Sequence, residues 1–258
     1  TWVAFIFDGK LFVIFIEYCG YTIILFYWFF SNYKNFIFQM FSSNNLFKSN
    51  VSWLKDIFPL QWKIALSWVS SYFLGYLFVP LLFYYSGEVV AGQMGLSLKI
   101  TGYVYLFSMA WINTKIPEFG SLINSNKLKE LKALFIKSIR NSFFASIFST
   151  TSLIVLLLIV NFLDFDFYER LLPLHLLVFL CVANIFNVIL SSISGYLRSF
   201  KKEPMLYIIL LLGLTVSVSN FITSKYFNVE IMVYSYVVIL ILIGLIGHIY
   251  IYLKNEPK

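Results

Sequence analysis

Seven long, almost uncharged apolar stretches divide this chain, at about residues 11–33, 61–85, 89–112, 140–162, 173–196, 204–223 and 231–253. Each reaches the roughly 20 mostly apolar residues that a helix needs to cross the hydrocarbon core of a bilayer. Water is absent there, so every backbone N–H and C=O must be paired inside the segment, which a helix does. The expected fold class is therefore an all-α polytopic membrane protein with about seven transmembrane helices. Composition agrees, because 60% of the 258 residues are hydrophobic, only 12% are charged, and the mean hydropathy is +0.83. Soluble domains carry about twice that share of charge.

The basic residues orient the spans. Topology follows Lys and Arg near span ends, with acids contributing little. Lys34, Lys48, Lys55 and Lys63 fall in one connection, Lys115, Lys127, Lys129, Lys132, Lys137 and Arg140 in another, Arg198, Lys201 and Lys202 in a third, and Lys254 and Lys258 in the tail. Fifteen of the nineteen basic residues thus lie on one side, against Lys10, Arg170 and Lys225 on the other, with Lys99 inside a span. The basic side is expected to be cytoplasmic, which puts the C-terminus inside and the N-terminus outside. Asp8, Glu88, Asp164, Asp166, Glu169 and Glu230 then face the exterior. The formal charge of +7 is topogenic on this reading, and nucleic acid is not a partner, since no soluble domain exists to present a basic surface. The chain begins at Thr1 without Met or signal peptide, so residues 1–10 read as an exterior loop continuing from spans upstream.

Residues 33–63 form the longest linker, with turn-forming Asn44, Asn45, Ser49 and Asn50, and a natural lobe boundary. Pro173 and Pro204 are expected at the first position of their helices, where a missing N–H is harmless. Pro80 should kink the second span. In the connection 113–140, Leu128, Leu131, Leu134 and Phe135 recur at helical spacing between Lys127, Lys129, Lys132 and Lys137. That pattern predicts an amphipathic helix lying at the cytoplasmic surface against anionic lipid head groups.

The candidate functional residues are polar groups inside spans. Lys99 stands about ten residues into the third span, where an unpartnered cation costs on the order of 3 kcal/mol or more. Gly92, Gly95 and Gly102 share its stripe at helical spacing, so the stripe either admits a neighbouring helix closely or leaves room for a ligand, and the lysine favours the cavity. Glu17 in the first span is a candidate ion-coupling carboxylate or partner of Lys99, or else an acid reaching interfacial water. Asn184, Asn187, Ser191 and Ser194 make a polar stripe down the fifth span toward Arg198, suited to interhelical hydrogen bonds or to a cavity. The row Ser138, Ser142, Ser149 reads as helix glue. A Tyr or Trp beside these stripes has a flat face that can stack on a sugar ring. Cys19 and Cys181 are packing residues inside spans, and His175 and His248 sit at opposite depths, so no metal site is expected. No cofactor or nucleotide motif occurs. The exterior loops are short, with Asp164, Asp166, Glu169 and Arg170 the only cluster, so no catalytic residue is assigned and the chain is not read as an enzyme.

The run IFPLQWKIALSWVSSYFLGYLFVPLLFYYSGEVVAGQMGLSLK, from Ile57 to Lys99, resembles the polysaccharide-biosynthesis flippases, the O-antigen type exporters of the multidrug/oligosaccharidyl-lipid/polysaccharide superfamily. The later AWINTKIPEFGSLI, LKELKALF and GYLRSFKKEP are similar to the same family in order and spacing. The resemblance implies about twelve spans in two six-helix lobes. On that plan residues 1–33 are an exterior segment and the last helix of an N-lobe, 34–63 the cytoplasmic linker, and 64–258 a six-helix C-lobe. It also implies a monomer in the bacterial inner membrane, surrounded by membrane lipids. Its role would be to move polyprenyl-pyrophosphate-linked oligosaccharide across by alternating access for surface polysaccharide such as the O-antigen of lipopolysaccharide. Coupling to a proton or sodium gradient is part of the same expectation. Lys99 would line the cavity on the second helix of the C-lobe. The chain departs from the family in lacking most of a first lobe. A drug/cation antiporter of the same superfamily is the near alternative and would favour cavity carboxylates over a lysine. A membrane enzyme acting on lipid-linked sugars would need a clustered exterior site, and a retinal protein a lysine in the seventh span.

Overall fold

The computed structural model describes residues 10–42, 52–163 and 167–255, which are helical throughout apart from short connections, with no strand among the described residues. They fall into two units, residues 1–55 and 56–258.

The first unit holds α1, Lys10–Ser42, which bends at Tyr33 (φ −112°, ψ 18°). The apolar run ends where the helix bends, but the helix goes on to Ser42, so the first nine residues assigned to the linker are helical. From Tyr21 to Asn35 every side chain is exposed, and the stretch up to Phe30 is apolar on all sides of the helix apart from Thr22. Asn44, Asn45, Ser49 and Asn50 lie outside the described residues.

The second unit is a helical bundle entered through a π-helical turn, Trp53–Ile57. Next come α2, Phe58–Tyr76, and α3, Phe78–Ser86, separated by a bend at Leu77. Pro80 explains the bend: it has no N–H for the carbonyl of Tyr76, and its ring clashes with that carbonyl in a straight helix. The two pieces still form one apolar run. Gly87, at φ +91°, reverses the chain in a single residue and leads into α4, Glu88–Asn113. After the short α5, Ile116–Asn124, come α6, Leu128–Phe162, a 3-10 turn at Tyr168–Arg170, and α7, Leu174–Arg198. Then α8, Leu206–Tyr226, precedes α9, Val229–Ile239, which continues through a π-helical stretch, Leu240–Leu245, into α10, Ile246–Asn255. Asn228 starts α9 by accepting a 3.0 Å hydrogen bond from the N–H of Ile231.

Among the described residues five runs are long and apolar enough to cross a membrane: Trp53–Ser86, Leu128–Phe162, Leu174–Arg198, Leu206–Tyr226 and Val229–Asn255. The chain is thus an all-α multi-pass membrane protein. Helix α4 is long enough at 26 residues, about 39 Å, yet it is not among them. Gln93, Ser97, Lys99, Thr101 and its glycines dilute its apolar character. It nevertheless sits inside the bundle, packed on α3, α6 and α7.

Helix α7 is the most enclosed of the spans, half buried. Leu176, Leu180, Ala183 and Leu190 meet Phe78 and Leu82 of α3, Val216 of α8 and Met232, Val233 and Tyr236 of α9 in the main core. A second core toward the other end joins Phe119, Leu131, Phe135, Tyr196, Leu197 and Ile209. Here the structure corrects the amphipathic surface helix. Residues 128–139 are the first turns of α6, whose 35 residues extend about 52 Å, far beyond a bilayer core of about 30 Å. Leu131 and Phe135 are buried against Phe119 of α5 and Tyr196 of α7, so protein rather than lipid covers the apolar face. Two prolines also shift. Pro173 caps α7 with extended ψ of 145°, its carbonyl accepting from Leu176 and Leu177, and Pro204 lies in the turn ahead of α8.

Candidate functional site

Helix α4 has two unlike faces. Ala91, Met94, Ser97, Thr101, Val104, Ser108, Met109 and Ile112 are buried in the bundle. Gly92, Lys99 and Tyr103 are exposed, with Gly95 and Gly102 beside them half-buried. A methyl group placed on Gly92 or Gly102 would have nothing within 4 Å, and on Gly95 only Val79 at 3.5 Å. The glycine stripe is therefore not a tight helix seam within this unit; it is an open strip. Lys99 lies eleven residues into the helix, about 16 Å from its start, and has no ion-pair partner among the described residues. Glu17 belongs to α1 and to the other unit, and its side chain lies outside the described residues.

The polar stripe on α7 divides. Asn187 Nδ2 donates to the Tyr236 hydroxyl of α9 at 3.1 Å, and the Tyr105 hydroxyl of α4 donates to Ser191 Oγ at 2.9 Å. Both are interhelical bonds, as expected of helix glue. Ser194 is buried. Asn184 is half-buried and makes no hydrogen bond among the described residues. The structure thus does not gather Asn184, Asn187, Ser191 and Ser194 with Lys99 on one exposed surface. On α6 the buried register is Ser138, Ser142, Ser146 and Thr150, while Ser149 is half-buried and bonds its own helix at Ala145. Small residues at these positions let α6 lie close to its neighbours.

One strong cluster is not apparent in the sequence pattern. Glu203, in the short connection from α7 to α8, has only 1% of its side chain exposed. Arg198 grips it with two bonds, Nε to Oε2 at 2.5 Å and Nη2 to Oε1 at 2.8 Å, while Ser67 of α2 donates to Oε1 at 3.2 Å. The bidentate fork fills both carboxylate oxygens, which is what makes a buried charge tolerable. The end of α7 and the connection to α8 are thereby fastened to α2 at one point. The available signal is an acid five residues after an arginine in a connection too short to leave the bundle.

The remaining candidates do not converge. His175 and Glu230 lie 3.6 Å apart, both half exposed, whereas His248 is buried on α10 with Nδ1 2.8 Å from the carbonyl of Gly244. Among the described residues no group of three His, Cys, Asp or Glu side chains could hold a metal. Asp164 and Asp166 lie outside the described residues; Glu169 and Arg170 occupy the 3-10 turn, where the Glu169 carbonyl accepts from Gln93 of α4 at 2.9 Å. A groove of about 450 Å³ runs along α8, lined by Leu211, Leu214, Val218 and Ile222 with hydroxyls of Thr215 and Thr223 that bond their own helix. It offers nothing to a charged ligand.

No protein-family model, curated protein or solved structure matches the chain.

Proposed function

We propose that the protein is a transporter that flips polyprenyl-pyrophosphate-linked oligosaccharide across the bacterial inner membrane by alternating access, for surface polysaccharide synthesis. The observation that carries this reading is the Lys99 strip: an exposed ammonium without a partner, midway along a membrane-length helix, between glycines that leave open space. A cation facing hydrocarbon there would be expelled or paired, so the strip suits a wet cleft and an anion within it. A pyrophosphate is the matching group, because it carries several acceptor oxygens and is attracted strongly where water is scarce. The resemblance of residues 57–99 to the flippases supports the same substrate class.

On this reading the basic connections and the C-terminus lie in the cytoplasm, as the distribution of Lys and Arg favours. A proton or sodium gradient drives the cycle, with membrane lipids around a monomer. The drug/cation antiporter reading is weaker, because cationic cargo calls for carboxylates and the exposed strip of α4 offers a lysine. A membrane enzyme is weaker still, because the described exterior turn offers only the Glu169 and Arg170 side chains, and its backbone is tied to α4 through Gln93 and Ser97.

The test is Lys99→Ala in cells that depend on the protein for surface polysaccharide. Membrane levels should stay normal while surface polysaccharide falls by about tenfold or more, in keeping with the roughly 1.5–3 kcal/mol of a hydrogen bond to a charged group. Lipid-linked intermediate should accumulate inside, and Lys99→Arg should restore much of the export. Normal polysaccharide with Lys99→Ala would remove Lys99 from the mechanism.

A further inference from the structure

Lys99 has a companion on the same strip. Tyr103 follows it by one helical turn and is 68% exposed. Its hydroxyl has no hydrogen-bond partner among the described residues. Tyr105, two residues on, turns the other way and is bonded to Ser191. The contrast is informative. A phenol at mid-helix depth is an uneasy neighbour for lipid, since an unpaired hydroxyl in hydrocarbon costs on the order of several kcal/mol. The exposed mid-span rings of α6, Phe144 and Phe148, carry no such group; Tyr72 and Tyr76 of α2 are exposed phenols too, but their rings stack on each other at 4.6 Å, whereas Tyr103 stands one turn from Lys99. Two unpartnered polar side chains one turn apart therefore face the same non-lipid medium, and Gly102 beside Tyr103 leaves its flank open.

The spacing suggests what fills it. Side chains four residues apart on a helix leave the backbone about 5–6 Å from one another, a reach comparable to that from a phosphate to the sugar ring bonded to it. A tyrosine ring has a negative face that attracts the C–H edge of a sugar, and its hydroxyl can donate to a sugar oxygen. We propose that Tyr103 is a sugar-stacking platform: it receives the first sugar of a pyrophosphate-linked glycan on its ring while Lys99 holds the adjoining phosphate. This rests on the flippase reading and adds a residue that senses the sugar rather than the anion.

The experiment uses the full chain in lipid nanodiscs and two probes, farnesyl pyrophosphate and the same lipid bearing one N-acetylglucosamine. Wild type should bind the glycosylated probe more tightly. Tyr103→Leu should weaken that probe about three- to tenfold, the range of an aromatic stacking contact, and leave plain farnesyl pyrophosphate within about twofold. Tyr103→Phe should keep most of the preference because the ring remains. Loss of both probes alike, loss of neither, or a phenylalanine variant as weak as the leucine one would each overturn the platform. Lys99→Ala fails separately: it should weaken both probes, and wild-type binding of both would sink the flippase reading while the Tyr103 preference stood or fell on its own data.

Discussion

Glu203 is a carboxylate almost wholly out of water, and it persists there because Arg198 and Ser67 occupy both of its oxygens. Burying such a pair is worth little compared with apolar packing, but breaking it strands a charge. Arg198→Ala should therefore lower stability by roughly 3–5 kcal/mol, seen as a large drop in the thermal unfolding midpoint in detergent. The double replacement Arg198→Met with Glu203→Met should recover most of that drop; a double variant as unstable as the single one would show that the pair matters for its shape and not its charge. The contrast with Lys99 shows what a sequence reveals at this scale. Lys99 interrupts an apolar run, so it announces itself. Glu203 sits in a short basic connection that looks like solvent-exposed loop, and its burial depends on Ser67, 136 residues away. Asn187 and Ser191 were legible as polar residues in a span, but their partners Tyr236 and Tyr105 come from other helices, and nothing local distinguishes glue from a ligand contact.

At the scale of helices, glycines on two faces behave differently. Gly213 of α8 meets α2: a methyl group there would lie 2.1 Å from Ser70 Oγ and 3.1 Å from the Ser70 carbonyl. Ser70 Oγ in turn donates to the Ile209 carbonyl at 2.7 Å. Gly213→Ala should push α2 away or break that bond, costing about 1–3 kcal/mol as overpacking does. Gly92→Ala meets nothing within 4 Å and should be neutral or gain up to about 1 kcal/mol from helix propensity. Unfolding midpoints of the two variants decide this; equal values would mean that α2 and α8 do not approach so closely. The periodicity of Gly92, Gly95 and Gly102 puts them along one side of α4 with Lys99, where Gly92 and Gly102 have open space beside them. Boundaries were legible where apolar runs end, while α6 was misjudged because its amphipathic first turns look separable and are in fact continuous with the span and covered by α5 and α7.

For the molecule as a whole, a bundle of apolar helices around α7 encloses one face of α4 and leaves its other face open. That face sets Lys99 and the Tyr103 hydroxyl among exposed Val89, Leu106 and Phe107, and among the described residues α4 is the one long helix of the bundle too polar by composition alone to count as a membrane span. The central claim is that Lys99 looks onto water inside the membrane. The direct measurement is labelling of single cysteines by a membrane-impermeant maleimide in native membranes, after replacing Cys19 by Ser and Cys181 by Ala. Phe148→Cys, at a 71% exposed ring position within the apolar half of α6, serves as the control expected to face lipid. Lys99→Cys should label readily and Phe148→Cys should not. A Lys99→Cys protein as unreactive as the Phe148 control would contradict the account.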